Sequence, residues 1–236
     1  MQLSLIIPAY NEEKLIRGTI SELVSYLDKK GYSWEIIVAD DGSSDKTSQI
    51  VESFNNPKIK LVALKKNQGK GAALKAGFLK AEGEYQIFSD ADLSVPIETI
   101  EPFMQKLKDY DVVIASRRVK GAEIKVHQPW FRENMGRVFT LLTQVYMSSS
   151  VVDFTCGFKG FRKNAAKEIF GCSLISRWAY DAEIVFLAEK KGLKILQHPV
   201  SWINRKDTRV RLNRVVLETI RDLFRIRVFD MQGQYD

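Results

Sequence analysis

Short apolar runs alternating with amphipathic stretches through the first half of the chain are what most narrows its fold. Leu3–Ile7, Glu35–Ala39, Ile59–Ala63, Glu84–Ser89 and Asp111–Ala115 have the length and composition of strands, and Pro8 is expected to stop the first. Between them lie helical patterns. Asn11-Glu12-Glu13 opens a helix to about Lys29 that carries Leu15, Ile20, Leu23, Val24 and Leu27 on one face. Ser44-Asp45 caps a helix to about Phe54, Gly71–Ala81 is helical, and a further helix follows Pro96. Such alternation implies βαβ units around a parallel sheet, with ligands at the carboxyl ends of the strands.

Carboxylates stand at those ends. Asp40-Asp41 closes the second run, and Asp90-Ala91-Asp92 closes Tyr85-Gln86-Ile87-Phe88. Two carboxylates two residues apart at the end of a buried strand suit Mg²⁺ or Mn²⁺, hard cations that take oxygen ligands and keep positions open for phosphate oxygens. Read alone, such a triplet is more often a strand end followed by a helix cap and turn. The loop Asn67-Gln68-Gly69-Lys70-Gly71 has neither P-loop spacing nor the tight strand-to-helix turn of a dinucleotide fingerprint. A diphosphate held here would meet a divalent ion and not a helix dipole, which fits a nucleotide-sugar better than NAD or ATP.

With 236 residues and 45% apolar content the chain can bury a full α/β core. Cys156 and Cys172 offer neither a disulfide framework nor metal-ligand spacing, so a reducing compartment is expected. Met1 leads directly into the first strand, with no signal-peptide pattern, and no apolar run reaches eighteen residues. The expected location is cytoplasmic, peripheral on the cytoplasmic face of a membrane. The net charge of +7 is concentrated: Arg205–Arg227 holds eight basic residues against three acidic ones, an attractor for anionic headgroups or nucleic acid phosphates, or else a solvated helix face. Two segments have the pattern of interfacial helices, or else of core-facing helices or a dimer contact. Trp130–Met147 carries Trp130, Phe131, Val138, Phe139, Leu141, Leu142, Val145 and Tyr146 near Arg132 and Arg137. Arg211–Phe229 sets Leu212, Val215, Val216, Ile220, Leu223 and Phe224 on one stripe, with Arg211, Arg214, Arg221 and Arg225 largely opposite.

Leu5-Ile6-Ile7-Pro8-Ala9-Tyr10-Asn11-Glu12, Val38-Ala39-Asp40-Asp41-Gly42-Ser43-Ser44-Asp45 and Asp90-Ala91-Asp92-Leu93-Ser94-Val95-Pro96 together resemble family 2 glycosyltransferases of the GT-A fold. The similarity continues through Ala115-Ser116-Arg117-Arg118, Cys156-Gly157-Phe158-Lys159-Gly160-Phe161, Trp178-Ala179-Tyr180-Asp181-Ala182-Glu183 and Pro199-Val200-Ser201-Trp202. The set is similar to the polyprenyl-phosphate branch, and within it to dolichyl-phosphate β-glucosyltransferases more than to mannosyltransferases.

The resemblance implies a Rossmann-like, mostly parallel sheet flanked by helices over residues 1–210, with 1–116 as the nucleotide-sugar half, 117–210 as the acceptor half, and 211–236 as an amphipathic basic helical extension. It also implies a lining of the nucleotide-sugar pocket by Pro8, Tyr10, Glu12, Asp41 and Ala91, with Asp40 accepting a hydrogen bond from the base and Lys70 beside the nucleoside. Asp92 would be the principal metal ligand, with Asp90 directed at ribose or metal. Ser94 stands where some mannosyltransferase relatives place a metal-binding Gln, and is a poorer ligand. Arg117, Arg118 and Arg132 would grip the acceptor phosphate, and Asp153 and Asp181 with Glu183 would complete the catalytic site. The implied partners are a nucleotide-sugar donor, a polyprenyl phosphate and an anionic membrane surface, with no nucleic acid.

A polyprenyl phosphate is an anion near neutral pH and needs no strong general base. The site has to hold two negatively charged partners in line. The metal neutralises the leaving diphosphate while guanidiniums bind the attacking phosphate. His127 and His198 are not placed as bases. The expected reaction is inverting transfer of a hexose, glucose from UDP-glucose, to the lipid phosphate. Mannosyl transfer from GDP-mannose, transfer to a soluble hydroxyl with Asp181 or Glu183 as base, and non-catalytic polyanion binding through the basic stretch are the alternatives.

Overall fold

The computed structural model describes residues 1–126, 140–141, 143–144, 146–147, 149–203 and 212–236, the side chains of 212–217 excepted. The expected phosphate ligand Arg132, His127, Arg137, and Trp130, Phe131, Val138, Phe139, Leu142 and Val145 of the first interfacial segment lie outside the described residues, as do Arg205, Lys206, Arg209 and Arg211 of the basic stretch.

Seven strands form one sheet: β1 (Leu3–Ala9), β2 (Trp34–Asp40), β3 (Ile59–Ala63), β4 (Tyr85–Ser89), β5 (Val112–Ser116), β7 (Phe158–Arg162) and β8 (Ile195–Pro199), in the order β3-β2-β1-β4-β7-β5-β8. β6 (Glu123–Val126) and β9 (Ser201–Ile203) pair separately in parallel. Within the large sheet β7 alone runs antiparallel, wedged between β4 and β5. Strands β1 and β2 are buried along their whole length, as expected of parallel strands covered on both faces.

Alternation along these strands feeds two cores. Leu3, Leu5, Ile7, Ile36 and Val38 face α1 (Ile16–Leu27) and α4 (Ile100–Lys106). Ile6, Ile37, Ala39 and Phe88 face α3 (Lys70–Phe78), α5 (Lys163–Cys172) and α6 (Tyr180–Lys190). The short α2 (Thr47–Glu52) adds Val51 to the first core. Among the described residues no helix is long and apolar enough to cross a membrane.

Three expectations are corrected. Pro8 does not stop β1: it sits opposite Ala39, beyond Ile6 where pairing with β4 ends, so its missing N–H falls where the strand has a single ladder partner. The first helix starts at Ile16 and not at Asn11, because Asn11 takes a positive φ of 55°. The apolar stripe of α7 (Leu212–Met231) is divided: Leu223 joins the second core together with Ile226, from outside the stripe, whereas Ile220 and Phe224 are exposed, as is nearby Val228.

Candidate active site

The carboxyl ends of β1, β2 and β4 open into a cleft of about 530 Å³. Pro8, Tyr10, Glu12, Asp41, Lys70, Asp90, Ala91 and Asp92 line it, together with Arg177 and Trp178. The loops around it are pinned to one another by short polar side chains. The Asn11 side-chain oxygen accepts from the Ser44 N–H at 2.8 Å, while the Asn11 and Glu12 N–H groups donate to Ser43 Oγ and Thr47 Oγ1, each at 2.8 Å.

The neighbouring aspartates Asp40 and Asp41 do different work. Asp40, 1% exposed, accepts from the Ser43 N–H at 3.0 Å, the Ser43 hydroxyl at 2.5 Å and the Ser48 hydroxyl, and it does not line the cleft. Asp41 faces the 67–70 loop and takes the Gln68 N–H at 2.7 Å and both the Gly69 N–H and the Asn67 amide at 2.8 Å. Burial pushes its carboxyl above the ordinary range, against the pull of those amide donors. Gly69 has φ of +115°, and a Cβ there would lie 2.4 Å from the Ser176 carbonyl, so glycine is what lets the 67–70 loop pass under Arg177.

Lys70 opens α3 and pairs with Asp90 Oδ1. Burial disfavours its charge, but Asp90, with help from Tyr180 and Asp181, raises its pKa well above the ordinary value. Asp90 is held from behind: its N–H donates to the Gly157 carbonyl at 3.0 Å, and a Cβ on Gly157 would lie 1.9 Å from Asp90 Oδ2. Leu93, at φ of +50°, turns the chain so that Asp92 returns to the cleft, where Asp92 Oδ1 accepts the Ser94 N–H at 2.9 Å. A branched side chain at positive φ costs of order 1–3 kcal/mol, strain of the kind found where a site dictates backbone shape.

Among the described residues no group of three or more His, Cys, Asp and Glu is gathered for a metal. The pair Asp90 and Asp92 still suits Mg²⁺ or Mn²⁺, which often take one or two carboxylates and complete their shell with substrate phosphates and water. The Lys70 ammonium on Asp90 shows that this carboxylate already accepts a cation.

Asp153 and Asp181 lie apart from the cleft lining. Asp153, fully buried, accepts the Arg117 guanidinium bidentately at 2.8 and 2.7 Å and its backbone N–H at 2.9 Å. Burial would raise the Asp153 pKa, but Arg117 overcomes it and holds the carboxyl low. Arg117 also donates to Thr155 Oγ1 at 2.9 Å and stands 5.3 Å from the centre of the Trp202 ring. Arg118 donates to Thr140 Oγ1 at 2.7 Å and to the Val152 carbonyl at 3.1 Å. Asp181 pairs with fully buried Lys159, whose ammonium also donates to the Cys156 carbonyl at 2.9 Å. Burial raises Asp181, opposed by Lys159 and Lys70. Glu183 accepts the Leu174 N–H at 2.8 Å and the Tyr235 hydroxyl at 2.6 Å.

Sequence reasoning missed Arg177 as a wall of the cleft, since no motif marks it. Trp178 opens the Trp178–Glu183 block, whose sequence carries no sign of its place on the cleft. Gly157 likewise lies in a recognised block, but its spatial relation to Asp90 comes from the β4–β7 pairing.

Comparison with known proteins agrees with this architecture. A dolichyl-phosphate beta-glucosyltransferase of Trichomonas vaginalis is 33% identical over 242 residues, covering 97% of this chain and 71% of that protein. Its human counterpart by name is 29% identical, covering 99% of this chain and 77% of that protein. Among solved structures, glucosyl-3-phosphoglycerate synthase from Mycobacterium tuberculosis in complex with UDP aligns with a TM-score of 0.68 at 20% identity, over 95% of this chain and 79% of that one. Mannosyl-3-phosphoglycerate synthase from Rubrobacter xylanophilus aligns at 0.73 and 15% identity, over 99% and 76%. These structures share the GT-A glycosyltransferase fold with the present chain. Residues 4–170 match Glycosyl transferase family 2, a span that contains the whole carboxylate-lined cleft except the wall at Arg177 and Trp178, and the chain therefore belongs to that family of glycosyltransferases.

Proposed function

We propose that this glycosyltransferase moves glucose from UDP-glucose to a dolichyl-type polyprenyl phosphate with inversion. The observation that carries this reading is the convergence of Asp41, Lys70, Asp90 and Asp92 on one cleft, in a chain whose relatives along nearly its whole length are named dolichyl-phosphate beta-glucosyltransferases. The mycobacterial neighbour is described in complex with Mn²⁺, UDP and glucosyl-3-phosphoglycerate, which supports a divalent ion in this reading.

In this reading the donor nucleotide lies against Pro8, Tyr10, Glu12 and Asp41, and Lys70 gives its charge to the diphosphate. Asp92 and Asp90 would hold Mg²⁺ or Mn²⁺, whose charge stabilises the departing diphosphate. The lipid phosphate oxygen forms the new bond to the glucosyl anomeric carbon as the bond to the diphosphate breaks, and UDP leaves. Because the attacking oxygen is already anionic, no side chain has to remove a proton from it. Asp181, paired with Lys159, therefore stabilises the site's internal charges and does not act as a base. Arg117, Arg118 and Arg132 bind the lipid phosphate. For Arg117 this uses Nη1, the guanidinium nitrogen that neither Asp153 nor Thr155 engages among the described residues.

A lipid acceptor places the protein at a membrane surface, on its cytoplasmic face. Exposed Ile220, Phe224 and Val228 of α7, beside exposed Arg221 and Arg225, are the described residues best suited to touch it. Purified protein incubated with Mn²⁺, dolichyl phosphate and radiolabelled UDP-glucose should place label in the organic phase. Label from GDP-mannose instead would change the sugar and keep the mechanism. Labelling of soluble acceptors alone would refute the lipid assignment.

A further inference from the structure

The Lys70–Asp90 pair has a second meaning, which rests on the donor-site reading above. Asp90 has two carboxylate oxygens. Oδ2 is packed against the Gly157 backbone and Oδ1 is taken by the Lys70 ammonium. The other carboxylate of the triplet is half engaged as well, since Asp92 Oδ1 accepts the Ser94 N–H at 2.9 Å. With Lys70 in this position, the cleft presents much less free negative charge to a cation than the sequence Asp-Ala-Asp promises.

We infer that Lys70 is an internal counter-ion that occupies the place of the divalent metal on Asp90 until a nucleoside diphosphate draws it away. The attachment of Lys70 is built for such a transfer. Its backbone is fixed, because it follows Gly69, whose N–H donates to Asp41 at 2.8 Å, and begins α3. Its side chain, a flexible four-carbon stem, can reach different partners from that pivot. On Asp90 the ammonium lies 5.9 Å from the Phe88 ring centre and 5.7 Å from that of Tyr180, two aromatic faces that tolerate a cation. A diphosphate in the cleft offers Lys70 a denser negative partner than one carboxylate. Moving the ammonium there uncovers Asp90 Oδ1 in the presence of the same diphosphate that supplies the remaining metal ligands. The metal thus enters with the nucleotide or after it, and the carboxylates do not collect divalent ions from solution when no donor is present. Lys70 is a positioning residue in this scheme: it sets when Asp90 becomes a ligand.

The test is direct binding of Mn²⁺, followed by electron paramagnetic resonance of the free ion. The proteins are wild type, Lys70→Met and Lys70→Gln, each checked for folding by thermal melting and titrated without nucleotide and with UDP. Two variants are used so that misfolding of one does not end the test. Without nucleotide, removal of the competing ammonium should tighten Mn²⁺ binding by up to about fivefold, the factor that a partly exposed ion pair is worth at the upper end. With UDP the variants should lose this advantage, since wild-type Lys70 has by then left Asp90. Nucleotide-free Mn²⁺ affinity in a folded variant equal to or weaker than that of wild type would overturn the inference and leave the donor-site reading intact. Wild type that fails to bind Mn²⁺ even with saturating UDP would instead remove the donor-site reading, and this inference with it.

Discussion

Gly157→Ala is the sharpest single probe of the cleft. The added methyl group would lie 1.9 Å from Asp90 Oδ2, 2.4 Å from its Cγ and 2.9 Å from Oδ1. Ordinary van der Waals contact begins near 3.4 Å, so the carboxylate must move by about 1.5 Å. The backbone offers little relief, because the Asp90 N–H is bonded to the Gly157 carbonyl and β4 is laddered to β7 from Ser89–Phe158 onward. The Asp90 side chain therefore rotates, which separates it from Lys70 and withdraws it from the metal position. Because a short side chain gives way and the core stays in place, the stability loss should sit at the low end of overpacking, about 1 kcal/mol. A displacement of this size at a reacting centre costs on the order of 100-fold in rate. Glucosyl transfer to dolichyl phosphate, UDP-dependent Mn²⁺ binding and the melting temperature are measured on the same preparation. Near-normal turnover and Mn²⁺ affinity would refute the reasoning, since they would mean that Asp90 does its work from another position.

Asp153→Asn should destabilise the protein by about 3 kcal/mol at pH 7 in urea denaturation, the low end for breaking a buried pair, because it leaves the largely buried Arg117 guanidinium, 15% exposed, without its carboxylate. Arg117 holds the Asp153 pKa low against the opposing effect of burial, so the pair's stabilisation is complete above the unfolded value of about 3.9 and is lost as pH falls through the lower folded value. Wild type and variant should accordingly converge in stability below about pH 4, and a constant gap from pH 7 to pH 3 would contradict this account. Tyr235→Phe removes a hydroxyl donor from buried Glu183 and should lower the unfolding free energy by about 1.5–3 kcal/mol, with an unchanged denaturation midpoint as the contrary result. Asp92→Asn, or chelation of divalent ions, should abolish transfer while UDP binding without metal persists. Metal-independent transfer would exclude the proposed role of the triplet.

The strands are legible because buried parallel strands are nearly continuous apolar runs, and β2, buried along its whole length, contains the expected Glu35–Ala39. Helix starts were less so. The Asn11 turn depends on hydrogen bonds to Ser43 and Ser44, which belong to a different βα unit and come together only in the fold. The Asp40-Asp41 pair shows a similar limit for the site. One carboxylate had to face the cleft and the other the Ser43 and Ser48 hydroxyls, and the choice depends on where the chain turns after β2. Strand β7 carries Lys159 and Gly160 in its middle and has no periodic signature. It is a strand because β4 and β5 each leave an edge for it. Arg177 entered the cleft for a comparable reason: its neighbour Ser176 accepts the Ala72 N–H at 3.1 Å, which brings a distant loop over the start of α3.

The antiparallel insertion of β7 also has a consequence for how the chain is made. Tyr85 pairs with Arg162 and Val112 with Phe161, so β4 and β5 are joined only through a segment synthesised long after both. A nascent chain that has emerged as far as β5 can assemble β3-β2-β1-β4 but must keep the outer edge of β4 unpaired. That edge contains Ile87 and Phe88, and it resembles the open strand edges through which polypeptides aggregate. Closure waits for residue 162, and such late, long-range pairing is intrinsically slow. The interval between synthesis of β5 and of β7 is therefore the period in which this edge stands open, and synonymous or linker changes that lengthen it should lower yield without altering the finished enzyme.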